Sequence, residues 1–209
     1  MKLYRTIKKE AYFEQTIEKS KFICHLNHVE SKEDADLYIS EIRKKYKDAT
    51  HNVPAFIVGN KMEMMWQSDD SEPQGTAGAP ILDILKREGI TNVVAVVTRY
   101  FGGIKLGTGG LVKAYQSSAK MALENAVICD AYEMVKMSFS IDYNTYQKIE
   151  SLRNKEFEII DKTFNNDVTI TIVSLKEISE DVLKMITNLS NGKAKQIDSI
   201  EEVVLKEIK

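Results

Sequence analysis

The stretch RYFGGIKLGTGG, residues 99–110, sets Arg99 and Lys105 among five of the chain's ten glycines: Gly102, Gly103, Gly107, Gly109 and Gly110. A strand-like run, VVAVVT, precedes it and a helical pattern follows. A glycine-rich turn between a strand and a helix lets backbone N–H groups converge on an anion, and the helix N-terminus adds partial positive charge. Thr108 adds a hydroxyl to the same turn. Two nucleotide templates fail. A Walker A loop ends in Gly-Lys-Ser/Thr, where this loop has Gly107-Thr108-Gly109, and the dinucleotide pattern GxGxxG meets Val112 at its last glycine. No Asp or Glu occurs from Gly89 to Leu123, whereas Arg99, Lys105, Lys113 and Lys120 all lie there. A focused basic patch beside free amides suits phosphate oxygens, of RNA or of a small ligand. Tyr100 and Phe101 offer faces for unpaired bases. The alternative is that the glycines serve backbone geometry alone.

A second stretch, SDDSEP, carries Asp69, Asp70 and Glu72, and His51 could supply a base. Carboxylates at this density can hold Mg²⁺ and support metal-assisted hydrolysis, but a solvated acidic loop has the same appearance. No metal site is expected, because one short run does not define a coordination sphere. His25 and His28 alternate without a partner motif, and no GxSxG, HExxH or CxxC is present. Cys24 and Cys129 have neither metal nor redox spacing and read as buried thiols. No cofactor is expected, and a binding protein is favoured over an enzyme.

These residues need elements to position them. Residues 4–29 read as extended, with alternation around Phe22, Cys24 and Leu26. Ser31 is expected to cap a helix, with Asp34 three residues on and Ala35, Tyr38, Ile39, Ile42 and Tyr46 on one stripe. VPAFIVG, 53–59, is a strand that turns at Gly59-Asn60 into MEMMWQS. Pro80 opens a short helix whose inner face is Ile81, Ile84 and Leu85 and which Gly89 closes. Thr91–Thr98 is a buried strand, and 109–126 a helix with Leu111, Tyr115, Ser118, Ala122 and Ala126 on one face. Beyond residue 130 the order is strand, helix, hairpin, helix, strand, with Asn144 capping a helix through about Lys155 and Ser179 capping the second. That β-α-β-β-α-β order is ferredoxin-like. The fold class is α+β in two domains, 1–130 and 131–209, with no Pro- or Gly-rich linker at the join.

The chain has 209 residues with 43% hydrophobic and 29% charged, enough to build globular cores. A net charge of −2 argues against bulk attraction to nucleic acid or an anionic membrane, so any basic surface is local. MKLYRTIKKE lacks the apolar segment of a secretory signal, and no apolar run reaches about 18 residues. A cytoplasmic protein without membrane contact is expected; the oligomeric state is open.

Taken together, KSKFI (19–23), DATHNVPAF (48–56), SDDSEPQGTAGAPIL (68–82) and VVAVVTRYFGGIKLGTGGLVKAY (93–115) resemble the IMPACT family in its two-domain bacterial form, the YigZ type. The family signature, from Gly78 through Arg99-Tyr100-Phe101-Gly102-Gly103 to Gly107, is present without departure. The resemblance implies an N-terminal two-layer α/β sandwich like domain IV of elongation factor G and related ribosomal proteins, and a ferredoxin-like C-terminal domain. It also implies a role in regulating translation: eukaryotic relatives compete for the scaffold protein that activates the amino-acid-starvation kinase, while bacterial members have no settled activity. RNA or the ribosome is the expected partner, with a protein partner in translation control as the alternative.

Overall fold

A computed structural model describes residues 1–152 and 156–208. The fold is α+β, with two five-stranded sheets and five α-helices among the described residues. The chain divides into two compact units, residues 4–130 with 206–209 and residues 131–205 with 1–3.

In the larger unit the sheet order is β2 (Ala11–Ile17), β3 (Ser20–His28), β6 (Val93–Tyr100), β4 (His51–Val58), β5 (Met64–Gln67), all neighbours antiparallel. Side chains alternate across a strand. Val93, Ala95 and Val97 of β6 therefore share one face with Val53, Ala55 and Ile57 of β4 and Phe22, Cys24 and Leu26 of β3. Two helices, α2 (Gly78–Arg87) and α3 (Gly107–Glu124), cover that face through Ile81, Leu85, Leu111, Tyr115 and Ala119. On the opposite face α1 (Lys32–Lys45) adds a further layer, packing Ala35, Tyr38, Ile39 and Ile42 on Phe56, Val58, Val94 and Val96. Burial on both faces explains why VVAVVT is apolar at every position but its last.

The local signals mostly match. Ser31 caps α1, its Oγ accepting from the Asp34 N–H at 3.1 Å. After α2, the Gly89 N–H donates to Lys86 O and the Ile90 N–H to Leu85 O. This is a Schellman closure made possible by φ +65° at Gly89. The buried strand starts at Val93 rather than Thr91, whose hydroxyl donates to Gly59 O. The glycine-rich helix starts at Gly107, two residues earlier than its apolar stripe indicates.

In the smaller unit β8 (Phe157–Phe164) and β9 (Val168–Leu175) form a hairpin beside β7 (Ile128–Ile141). The order β8-β9-β7-β10, with β10 spanning Lys195–Glu207, is the ferredoxin-like arrangement. β1 (Lys2–Ile7) joins the same sheet at β7. Helices α4 (Tyr143–Ser151) and α5 (Ser179–Leu189) contribute Ile149, Val182 and Ile186 to a core with Phe139, Ile170 and Ile172.

Both caps expected here are corrected. Asp142, not Asn144, caps α4, its carboxylate accepting from the Thr145 N–H at 2.7 Å. That hydrogen bond holds the Asp142 carboxyl below the usual carboxylate range. The expected helix end at Lys155 lies outside the described residues. Ser179 does not cap α5. A single 3-10 turn (Lys176–Ile178) leads into that helix, and the Ser179 hydroxyl donates backward to Lys176 O at 2.9 Å. Asp142→Ala should therefore cost about 1 kcal/mol, and Ser179→Ala less than about 0.5 kcal/mol, in urea unfolding.

Candidate functional site

The alternation that fills the core also fixes the site. Arg99 follows Val93, Ala95 and Val97 in step, so it faces inward under α3 rather than outward. The register places it opposite Phe22 of β3 and opposite His51 of β4. It is 5% exposed. The expectation of a surface guanidinium gripping a phosphate is thus corrected: strand periodicity takes Arg99 inside.

Burial demands a partner, and the acidic loop supplies one. Asp70 and Ser71 both have positive φ, +46° and +70°, which turns Glu72 into the interior. Glu72 Oε1 accepts from Arg99 Nη1 at 2.7 Å and from the Tyr115 hydroxyl at 2.6 Å. His51 Nε2 lies 3.8 Å from Glu72 Oε2. Burial, with the Glu72 hydrogen bond and charge, drives the Tyr115 phenol well above its usual range and keeps it a donor. The Arg99 guanidinium lies 5.4 Å from the ring centre of Phe22 and 5.5 Å from that of Phe101. Among the described residues its Nε has no hydrogen-bond partner.

Next to this cluster lies a cavity of about 380 Å³. Glu72, Pro73, Arg99 and Phe101 line one part, and Lys105, Gly107 and Thr108 another. The α3 N-terminus opens on it with no side-chain cap and no acidic residue in its first turn. Gly107 has φ +69°, and a Cβ there would meet nothing, so the approach to the backbone is clear. Gly102 serves packing instead, because a Cβ there would collide with the Lys19 backbone.

The other expected residues divide. Gly103, with φ +85°, and Gly109 have open space at their Cβ positions, while Gly110 sits against Leu106. Tyr100 turns away from the cavity, and its hydroxyl donates to Asp48 at 3.1 Å. Lys113 is exposed on α3. Lys120 stands far along the helix, lines a different cavity with Arg5 and Glu88, and is 3.9 Å from Glu124. Asp69 and Asp70 hold the loop together. Asp69 accepts from the Gly75, Ala77 and Gly78 N–H groups, and Asp70 from the Asn52 N–H and from Arg43. Among the described residues no group of three His, Cys, Asp or Glu side chains is placed to hold a metal ion.

The model of the Impact N-terminal domain matches residues 18–123, half of the chain. The chain belongs to the IMPACT family. A domain of unknown function, DUF1949, matches residues 139–193. The IMPACT family member YvyE of Bacillus subtilis (strain 168) is 40% identical over 193 residues, 91% of this chain and 88% of that one. The IMPACT family member YigZ of Escherichia coli (strain K12) is 37% identical over 140 residues, covering 66% and 69% respectively. A crystal structure described as that of an hypothetical protein superposes with TM-score 0.63 at 29% identity, covering 94% of this chain and 97% of the other.

All residues lining the cavity fall inside the stretch matched to the IMPACT N-terminal domain. The sequence presents Glu72 as a metal candidate and Tyr115 as a core residue, and the structure brings both to Arg99 in one cluster. The available signal was alternation, which sets Arg99 and His51 on the inner face of their strands and so calls for a buried acid.

Proposed function

We propose that this IMPACT-family chain is a translation-associated binding protein that contacts RNA or the ribosome through the loop between β6 and α3. The observation that carries the reading is the uncapped N-terminus of α3 opening on a cavity with Lys105 at its wall. Among the described residues no hydrogen bond or ion pair engages Lys105 or Lys113. Unsatisfied helix N–H groups and free ammonium groups attract phosphate. Phe101, 46% exposed, offers a ring for base stacking. Family membership supports a role in translation control, and no helix among the described residues is long and apolar enough to cross a membrane.

Arg99 is internal and Lys120 distant, so Lys105 and Lys113 are the two side chains left to neutralise phosphates. Single-stranded RNA should then bind weakly, with a log–log salt slope of about −1.4, from about −0.7 per contact. Lys105→Ala and Lys113→Ala should each flatten the slope by about half, and Lys120→Ala should leave it unchanged. Fluorescence anisotropy at several salt concentrations measures all four proteins. Affinity indifferent to salt and to both substitutions overturns the reading. Retention of a protein partner from nuclease-treated lysate, without RNA binding, would favour the interaction-module alternative.

A further inference from the structure

The sheet of the larger unit ends at β5, which pairs with β4 alone among the described residues. Its sequence is MMWQ, and Met64, Met65 and Trp66 are 45%, 39% and 43% exposed. Proteins commonly blunt a sheet edge with charge, proline or a covering segment. This edge instead carries three large apolar side chains in a row. The register fixes where they point. The Ser68 N–H donates to Pro54 O at 3.1 Å, so the N–H and C=O groups of Trp66 and Met64 face β4 and those of Met65 and Gln67 face outward. Trp66 and Met64 stand opposite Phe56 and Val58 on the α1 face, and Met65 opposite Ile57 on the other.

The free charge beside this edge is of one sign. A groove of about 660 Å³ runs between α1 and Trp66, lined by Ile39, Arg43, Lys44 and Lys47, with Asp36 as its one acid among the described residues. Lys32 holds Asp36 at 2.6 Å, and Asp70 holds Arg43 at 3.1 Å. Lys44 and Lys47 are exposed, and among the described residues no hydrogen bond or ion pair engages either side chain. The charge left over is therefore positive, in a chain whose net charge is −2. The Trp66 ring is seated on Phe56, with centroids 5.7 Å apart and planes 29° from parallel, and the rest of the indole stays open to the groove. These features fit different parts of one ligand. The outward row of Met65 and Gln67 needs the N–H and C=O groups of another strand, the lysines need carboxylates, and Trp66 and Met65 need apolar contact. A phosphate backbone would satisfy the lysines and leave the outward row and the methionines unmatched.

We infer that β5 accepts an extended acidic segment of a partner protein as a sixth strand of this sheet, its carboxylates over Lys44, Lys47 and Trp66 and its alternate, apolar side chains beside Met65. In strand addition the main chain supplies affinity and the alternate side chains supply the choice of partner. Trp, Met and Arg, which meet here, are the side chains enriched at protein interfaces. The surface is separate from the loop between β6 and α3 and does not depend on RNA binding there.

Trp66 is the chain's one tryptophan, so its emission reports on this edge alone. The full chain is titrated with the peptide EVEVEV and with its charge-reversed counterpart KVKVKV. EVEVEV should shift the emission to the blue and bind about tenfold tighter than KVKVKV at low salt, the size of two exposed ion pairs gained against two repulsions. Its affinity should fall as salt rises. Lys44→Glu combined with Lys47→Glu should reverse the preference. Met65→Pro removes an outward N–H and no bond to β4, and should weaken EVEVEV about fivefold, the loss of one hydrogen bond. Circular dichroism confirms the fold of each variant. In the parent protein EVEVEV should slow hydrogen exchange at the Met65 and Gln67 amides, which reads the same contact without a substitution. No change in emission with either peptide at millimolar concentration overturns the inference. Equal affinity for the two peptides, or a preference that survives the double lysine substitution, overturns the acidic partner. Unslowed exchange at Met65 overturns strand addition. A single-stranded RNA that displaces EVEVEV from Trp66 assigns the groove to nucleic acid, and a blue shift that grows with protein concentration alone assigns the edge to a second copy of this chain; either result overturns the inference.

Discussion

Arg99→Ala should lower the unfolding free energy by about 3–5 kcal/mol, the cost of leaving one member of a buried ion pair uncompensated. The expectation rests on Glu72, 8% exposed, which would keep its carboxylate in the core and lose its 2.7 Å donor. The Tyr115 hydroxyl, at 2.6 Å, cannot compensate alone because it carries no charge. Glu72→Ala should cost a similar amount for the mirror reason. Replacing both together with apolar residues of similar volume, Arg99→Met with Glu72→Leu, should recover much of the loss, since neither charge is then stranded. Urea unfolding of the three variants measures this, at low salt and at high salt. A buried pair is poorly screened, so the losses should persist in salt. Single-variant losses below about 1 kcal/mol, the range of exposed pairs, would show that the cluster is open to water.

Periodicity made most of the larger unit legible. The stripe Ala35, Tyr38, Ile39, Ile42 fixed one face of α1, and the Ser31 cap fixed its start. The run VVAVVT, apolar at all but its last position, pointed to a strand covered on both sides. Charge counting was less reliable at the site. Arg99 and Lys105 belong to one acid-free window, yet strand alternation buries the first and the loop exposes the second. The buried acid that pairs with Arg99 lies outside the window, 27 positions earlier, so no local rule connects them. Caps in the smaller unit failed for a related reason. Asp142 and Asn144 are both acceptable capping residues for α4, and choosing between them depends on where the preceding strand ends. That point is set by the pairing Ile141 with Val168, a contact between distant segments.

The acidic loop gives the second large effect, and it separates a structural role from a catalytic one. Asp69 caps α2 from outside its immediate sequence: Oδ1 accepts from the Ala77 N–H at 3.1 Å and the Gly78 N–H at 2.9 Å, and Oδ2 from the Gly75 N–H at 2.8 Å. Ala77, at the cap position, has no side-chain oxygen to offer. Removing the carboxylate leaves three backbone donors without their acceptor at a helix N-terminus, where negative charge is also favoured. Capping losses run to about 2 kcal/mol, and hydrogen bonds to a charged group contribute about 1.5–3 kcal/mol each without full additivity. Asp69→Ala should therefore destabilise by about 3 kcal/mol, and Asp69→Asn by about half of that, because the amide oxygen still accepts while the charge is lost. The melts are run in EDTA and again with excess Mg²⁺. A capping carboxylate gives the same losses in both. A metal ligand gives little loss in EDTA and a large one only when Mg²⁺ stabilises the parent protein. If Asp69→Ala in EDTA unfolds at the parent's urea midpoint, the capping role is wrong and a hydrolase built on this loop regains its standing.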